Sequence, residues 1–308
     1  AENWWMIHAN GFGRFDGINT QTWTLAQMGL PANTLVREMK VAPDSSMYVV
    51  TDNGVAIFKN DIWSVLNTSN SGLPTNNIWD VAFGPDGKRY FATTGSGVVV
   101  QDGSNWTSYT TANTGIPTLN NVFSVALTTD GVLWAIGGLS PAAGIRLAKF
   151  EAGTWTGFTA VSIGITPAAL LRKLTAGSSN QLYLTTSSTV SILQQSTWTH
   201  YYAQDIGCAP DGTIAPVEDG AGHVWIFTSC QLARFDGQTW QGLSAGLPGP
   251  PDDTFFDGIA EGAVGGLFGK FDDAQVLALR IENLDAEGRG DIQIALGIDG
   301  QTVAAAAG

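Results

Sequence analysis

Charge is scarce in this 308-residue chain, and positive charge scarcest of all. Charged residues make up 13%, against ~25% in an average soluble domain. Only 14 are Lys or Arg, while 27 are Asp or Glu. The net charge of −13 comes from this shortage of bases, because no run of five like charges occurs anywhere. An acidic surface without a basic stripe argues against nucleic acid and against anionic membrane as partners. No apolar run approaches the ~18 residues of a membrane span, so membrane insertion is not expected.

The sequence is equally poor in the groups that carry familiar chemistry. It has three histidines, His8, His200 and His223, and no two share a metal-ligand spacing. No Gly-x-Ser-x-Gly elbow, phosphate loop, Cys-x-x-Cys or Asp-x-Asp-x-Asp-Gly calcium loop is present. These absences give an expectation of no catalytic residues, no metal and no cofactor. Two cysteines occur, Cys208 and Cys230, and an even count in an exported protein leads us to expect one disulfide. Export itself is read from the opening Ala1-Glu2-Asn3-Trp4-Trp5, taken as the mature end left after signal-peptide removal. The expected location is therefore secreted, periplasmic or on the cell surface.

What the chain does have is glycine, aromatic residues and a strict period. A Trp following a polar turn recurs at Trp23, Trp63, Trp106, Trp155, Trp198 and Trp240, with spacings of 40, 43, 49, 43 and 42. A second aromatic, inside a short apolar run, recurs at Trp5, Tyr48, Tyr90, Trp134, Tyr183 and Trp225. Both landmarks keep a period of about 43 residues. Between them lie Gly-Leu-Pro or Gly-Ile-Pro (Gly29, Gly72, Gly115, Gly246), an apolar run, a Gly/Asp turn, the aromatic run, a Gly turn and a third run ending in an Asp-Gly-type turn. Each period thus predicts four strands of 4–7 residues joined by tight hairpins. Such a period is the mark of a β-propeller blade, in an all-β fold of four-stranded blades.

In this reading residues 1–308 form a single propeller domain, with strands A to D running outward from the axis. The first repeat starts at a B strand and lacks A. Phe255 to Ala260 reads as an A strand, and Leu267-Phe268, Val276 to Ile281 and Ile292 to Leu296 follow as B, C and D. Thr302 to Ala306 is then expected to supply the missing A strand of the first blade. Seven blades are favoured, and the alternative is six plus a C-terminal hairpin. The divergent segment 272–308 is read as closing blade or assembly strands. The recurrent D-strand Trp is expected to pack against the next blade and cover an outer edge.

Gly-Leu-Pro-x-Asn, an apolar strand, Asp-Gly, Leu/Val-Trp, a Gly turn and Phe-Asp-Gly together resemble the two-component regulator propeller repeat. Residues 29–65, 72–108 and 115–157 carry the likeness best. The resemblance implies a propeller like those of periplasmic sensor regions and other exported bacterial proteins. It implies no chemistry, because propellers host unrelated functions.

Ligand sites in such rings are expected over the axis, on the face where the D-to-A and B-to-C loops open. Those loops carry Asn33, Asp52, Asn53, Asn76, Asn77, Asn120 and Asn121. Near the end of a B strand, His8 stands where other repeats have Thr51, Thr93 and Thr186. These eight residues are the ligand-binding candidates, and amides and hydroxyls suit sugars or peptide backbone. Their competing role is to satisfy loop backbone groups. Glu38, Glu218 and Glu261 are the acids nearest the axis. The function expected is a non-catalytic scaffold for extracellular binding or assembly, with a protein or glycan at the cell surface or further copies of itself through the C-terminal strands. The alternative is an extracytoplasmic lyase or glycosidase with an axial acidic site.

Overall fold

The computed structural model describes residues 4–8, 11–15, 19–138, 144–166, 169–186, 188–210, 216–218, 222–228 and 232–243, and the strands within 266–306. In 4–8 and beyond 243 the description is of the backbone. Every sheet is a run of consecutive antiparallel strands. Five four-stranded sheets lie between residues 36 and 243, beginning at Val36–Val41, Ile78–Phe83, Val122–Leu127, Leu171–Ala176 and Val217–Glu218. Before them stands a three-stranded sheet of Trp4–His8, Gly11–Phe15 and Thr20–Thr24. After them comes a four-stranded sheet of Gly266–Lys270, Gln275–Glu282, Asp291–Ile298 and Gln301–Ala306. We number these sheets one to seven in chain order.

The hairpins follow from the turn residues. Gly54, Gly97 and Gly131 all have positive φ, a conformation that a side chain strains. At Gly97 a Cβ would stand 1.9 Å from the Tyr109 carbonyl oxygen, so this turn also requires a close backbone approach.

The A strands of the second to fifth sheets run side by side, so they surround a common axis. The apolar core is divided into clusters between successive sheets. One joins Phe12 and Leu25 to Met47, Val49 and Phe58, and the next joins Tyr48, Val50 and Val55 to Ile78, Phe91 and Val99. Alternation within each strand presents one set of side chains to either neighbour.

Two expectations are corrected here. Five of the six D-strand tryptophans pack against the preceding sheet, not the next, and only Trp23 meets the following one, at Phe58 and Trp63. Trp63 meets Phe12 and Trp23, Trp155 meets Tyr109, Trp198 meets Trp134 and Trp240 meets Tyr201. Trp106 covers Gly72 in the preceding loop, where a Cβ would come within 2.3 Å of the indole. Each of these five shares a pleat face with its cross-strand C residue, and that face is the one turned backward around the ring. Thr302 to Ala306 does not pair with the first sheet either. It lies in Gln301–Ala306, which pairs with Asp291–Ile298 as the last strand of the seventh sheet. Leu267-Phe268, Val276 to Ile281 and Ile292 to Leu296 fall in that sheet's strands as expected, and Phe255 to Ala260 lies outside the described residues.

Candidate functional site

The innermost strands contain an irregularity that the period does not reveal. Four carry a β-bulge at one position, between Val36 and Glu38, Ile78 and Asp80, Val122 and Ser124, and Leu171 and Lys173. A bulge re-aims the side chains beside it. It brings Glu38, Asp80, Ser124 and Lys173 to equivalent places around the axis.

These four residues, with Lys40, form a buried polar network. Lys173 Nζ donates to Glu38 Oε2 across the axis. Lys40 Nζ lies 2.5 Å from Asp80 Oδ1. The Asp80 carboxylate also accepts from Val81 N at 2.7 Å, Ser124 Oγ at 2.8 Å and Val125 N at 3.0 Å. Ser124 Oγ in turn accepts from Leu174 N at 3.0 Å. Asp80 and Ser124 are fully buried. Asp80 and Ser124 therefore each satisfy a backbone N–H on the inner edge of the following blade, Val125 N and Leu174 N, while Glu38 and Lys173 pair with each other.

The residue within each bulge points elsewhere. Arg37, Trp79, Phe123 and Arg172 occupy equivalent positions at the loop-bearing end of the axis. The Arg37 guanidinium lies 3.9 Å from the Trp79 ring centroid, a cation–aromatic contact. Trp79 meets Phe123 edge to face at 4.8 Å and donates from Nε1 to Thr94 Oγ1 at 2.8 Å. Arg37 also donates to Asn77 Oδ1 and to the Ile78 carbonyl. Burial lowers its pKa, with Asp52 partly opposing the shift. Arg37, Trp79 and Phe123 are half-buried and Arg172 is exposed. Four of the chain's 14 basic residues, Arg37, Lys40, Arg172 and Lys173, thus sit on two axial strands.

Most of the loop candidates hold backbone in place. Asn76 Oδ1 accepts from Thr68 N at 2.8 Å, and Asn120 Oδ1 from Thr111 N at 2.9 Å, the same staple in successive repeats. Asn121 Oδ1 accepts from Gly95 N at 2.9 Å, and Asp52 Oδ1 from Leu35 N at 2.9 Å. Asn53 Nδ2 donates to Thr34 and Asp52, while Asn33 is exposed. Only Asn77 joins the Arg37 group. Thr51 Oγ1 and Thr93 Oγ1 close the B-to-C turns onto Gly54 O and Gly97 O, each at 2.8 Å. His8 pairs with Gly11 in the register of Thr51 with Gly54, and its side chain lies outside the described residues.

The remaining titratable candidates are dispersed. Glu218 accepts from Ser178 N at 2.8 Å and Tyr183 OH at 3.0 Å, and Glu261 lies outside the described residues. His200 stands on an outer strand, its Nδ1 bonded to Ser191 Oγ at 2.8 Å, and burial lowers its pKa. Among the described residues no three His, Cys, Asp or Glu side chains gather as a metal site. No described cysteine is free, and Cys230 lies outside the described residues. At the opposite end of the axis a cavity of about 600 Å³ is lined mainly by Val41, Phe83, Leu127 and Leu174 with Lys40 and Thr175.

No family model and no curated protein matches this sequence. Solved structures do. The extracellular domain of the putative hybrid two component system BT4673 from B. thetaiotaomicron superposes with a TM-score of 0.62 at 15% identity, over 96% of this chain and 43% of that one. The corresponding domain of BT3049 from B. thetaiotaomicron gives 0.65 at 13% identity, over 99% and 46%. These likenesses establish the fold. It is a β-propeller of four-stranded blades. The chain spans less than half the length of those two domains. Virginiamycin B lyase from Staphylococcus aureus shares the architecture as well, with a TM-score of 0.60 at 10% identity over 86% of this chain and 95% of that one. Extracellular domains of two component systems and a lyase thus share this backbone, which leaves the choice of function to side chains. Among the described residues no helix is long and apolar enough to cross a membrane.

Proposed function

We propose that the chain is an exported, non-catalytic binding propeller that takes a carboxylate-bearing protein or glycan on the loop face over its axis. The observation that carries this reading is the half-buried Arg37 laid on Trp79, beside Phe123 and Asn77. A cation held on an aromatic face, next to an amide, can take a carboxylate while the rings cover its apolar neighbour. On a molecule of net charge −13, an anionic ligand is repelled elsewhere and is admitted where bases gather. The axial acids support binding over catalysis, because Glu38 and Asp80 are committed to Lys173, Lys40 and backbone N–H groups. A lyase or glycosidase needs an acid or base free to exchange a proton.

In the same reading the first and seventh sheets are blades, giving seven. The first strand, Trp4–His8, adjoins Gly266–Lys270 and Gln275–Glu282, which supports closure by contact between blades rather than by a shared strand. Self-association through the C-terminal strands is the second use of this architecture, and an oligomer in solution would favour it. The test is to screen the protein against acidic oligosaccharides and Asp/Glu-rich peptides and to analyse each retained probe by mass spectrometry. Retention with the probe recovered intact supports the proposal. Cleavage or elimination in the probe would establish the catalytic alternative.

A further inference from the structure

One seam between blades departs from the others, and the departure is visible in both sequence and structure. In the second, fourth and sixth sheets the D-strand Trp faces a cross-strand phenylalanine: Phe58 with Trp63, Phe150 with Trp155 and Phe235 with Trp240. These ring pairs have centroids 4.9–5.1 Å apart. In the third sheet the position is Gln101, which is occupied by the Arg89 guanidinium at 3.1 Å. In the fifth sheet it is Leu193, opposite Trp198.

Leucine cannot fill the volume of a phenyl ring, and a cavity of about 390 Å³ lies at this place. Its volume falls in the range of small-molecule sites, roughly 300–1,000 Å³. The apolar wall is Trp134, Trp198, Phe158 and Leu193, with the two indoles nearly perpendicular, 86° apart at 6.3 Å. The rim is polar and carries the Asp130 carboxylate beside one charge pair. Lys149 and Glu151 pair with each other at 2.8 Å, and Asn180, Gln195, Ser179 and Ser196 supply amides and hydroxyls. Two turns forming the rim are stitched together, since Asn180 N donates to Thr129 Oγ1 at 3.1 Å. The edge of the cavity is therefore set before any ligand arrives.

We propose that this seam binds a pyranose ring of a neutral saccharide. A pyranose has one face of C–H groups and an equator of hydroxyls. The indole wall covers the first, while the amides, hydroxyls and paired charges meet the second by directed hydrogen bonds. An anionic ligand is disfavoured because Lys149 and Glu151 already neutralise each other and Asp130 adds a negative charge. This site is separate from the loop face over the axis, so either can fail without the other.

The probes are methyl β-D-glucopyranoside, methyl β-D-galactopyranoside and methyl N-acetyl-β-D-glucosaminide, followed by saturation-transfer NMR and tryptophan fluorescence. At least one should bind saturably with a dissociation constant on the order of millimolar, the range for so small a ligand. Leu193→Phe installs the residue of the second, fourth and sixth sheets and should weaken binding at least tenfold without lowering the melting temperature. Ser179→Tyr blocks the rim from an exposed turn and should do the same, which keeps the test decisive if Leu193→Phe misfolds. Absence of saturable binding for all three probes overturns the proposal, as does binding within twofold of the parent in either folded variant.

Discussion

Replacing Asp80 by alanine perturbs the axial network at its most connected point. The carboxylate accepts from Val81 N, Val125 N, Ser124 Oγ and Lys40 Nζ, and its side chain is 1% exposed. Lys40 is 27% exposed and can recover water, so its loss costs little. Val125 N–H and the Ser124 hydroxyl cannot, because both residues are fully buried. A buried polar group left unpaired costs ~1–3 kcal/mol, so with the loss at Val81 N the variant should be destabilised by about 3–5 kcal/mol. Asp80→Asn keeps one acceptor oxygen and should lose about half as much. The assay is guanidinium unfolding followed by tryptophan fluorescence and far-ultraviolet circular dichroism, whose transitions must coincide for the comparison to hold. A loss below about 1 kcal/mol for Asp80→Ala, or an equal loss for alanine and asparagine, would refute the claim that this side chain closes the inner edge of the next blade.

The other expectations can be checked more briefly. Trp106→Ala removes an indole stacked on Phe91 at 5.9 Å and should cost ~3–5 kcal/mol; an unchanged melting temperature would contradict its place in the seam. Thiol titration of the unreduced, denatured protein should find no free thiol if Cys208 and Cys230 are bridged, and two would exclude the disulfide. Burial lowers the His200 pKa below its ordinary 6.5, so the unfolded chain binds the proton more readily than the folded one. Stability should therefore fall as pH drops below about 6.5 toward the folded value and should level off below it. The matching part of that slope should be missing in His200→Gln, and an identical pH profile for the two proteins would show that His200 does not contribute it.

The period was legible because each blade is local in sequence. Its hairpins need Gly and Asp at fixed offsets, and its seams need an aromatic at fixed places, so both leave marks every 43 or so residues. The axial network left a fainter mark. Glu38, Asp80, Ser124 and Lys173 share a position but no residue type, since each answers a different neighbour around the ring. The recoverable signal is one acid inside a short strand with apolar ends, as in Val36-Arg37-Glu38-Met39 and Ile78-Trp79-Asp80-Val81, and the bulge beside it supplies the meaning. The Asn positions were visible for the opposite reason. Asn76 and Asn120 repeat because they brace equivalent loops, which marks scaffold rather than site. The direction in which the tryptophans face was not legible, because strand alternation fixes which residues share a face but not which neighbour that face meets.

The most direct test of binding over the axis is a titration of one retained acidic probe against the parent protein, Arg37→Ala and Arg14→Ala. Arg14 is a basic residue of the first sheet, paired with Asp61 at 2.8 Å and outside the axial group. Loop-face binding predicts that Arg37→Ala weakens the complex at least tenfold while Arg14→Ala leaves it within twofold, and that added salt weakens the parent complex. Equal affinities for Arg37→Ala and the parent would contradict it, and so would equal losses in the two variants.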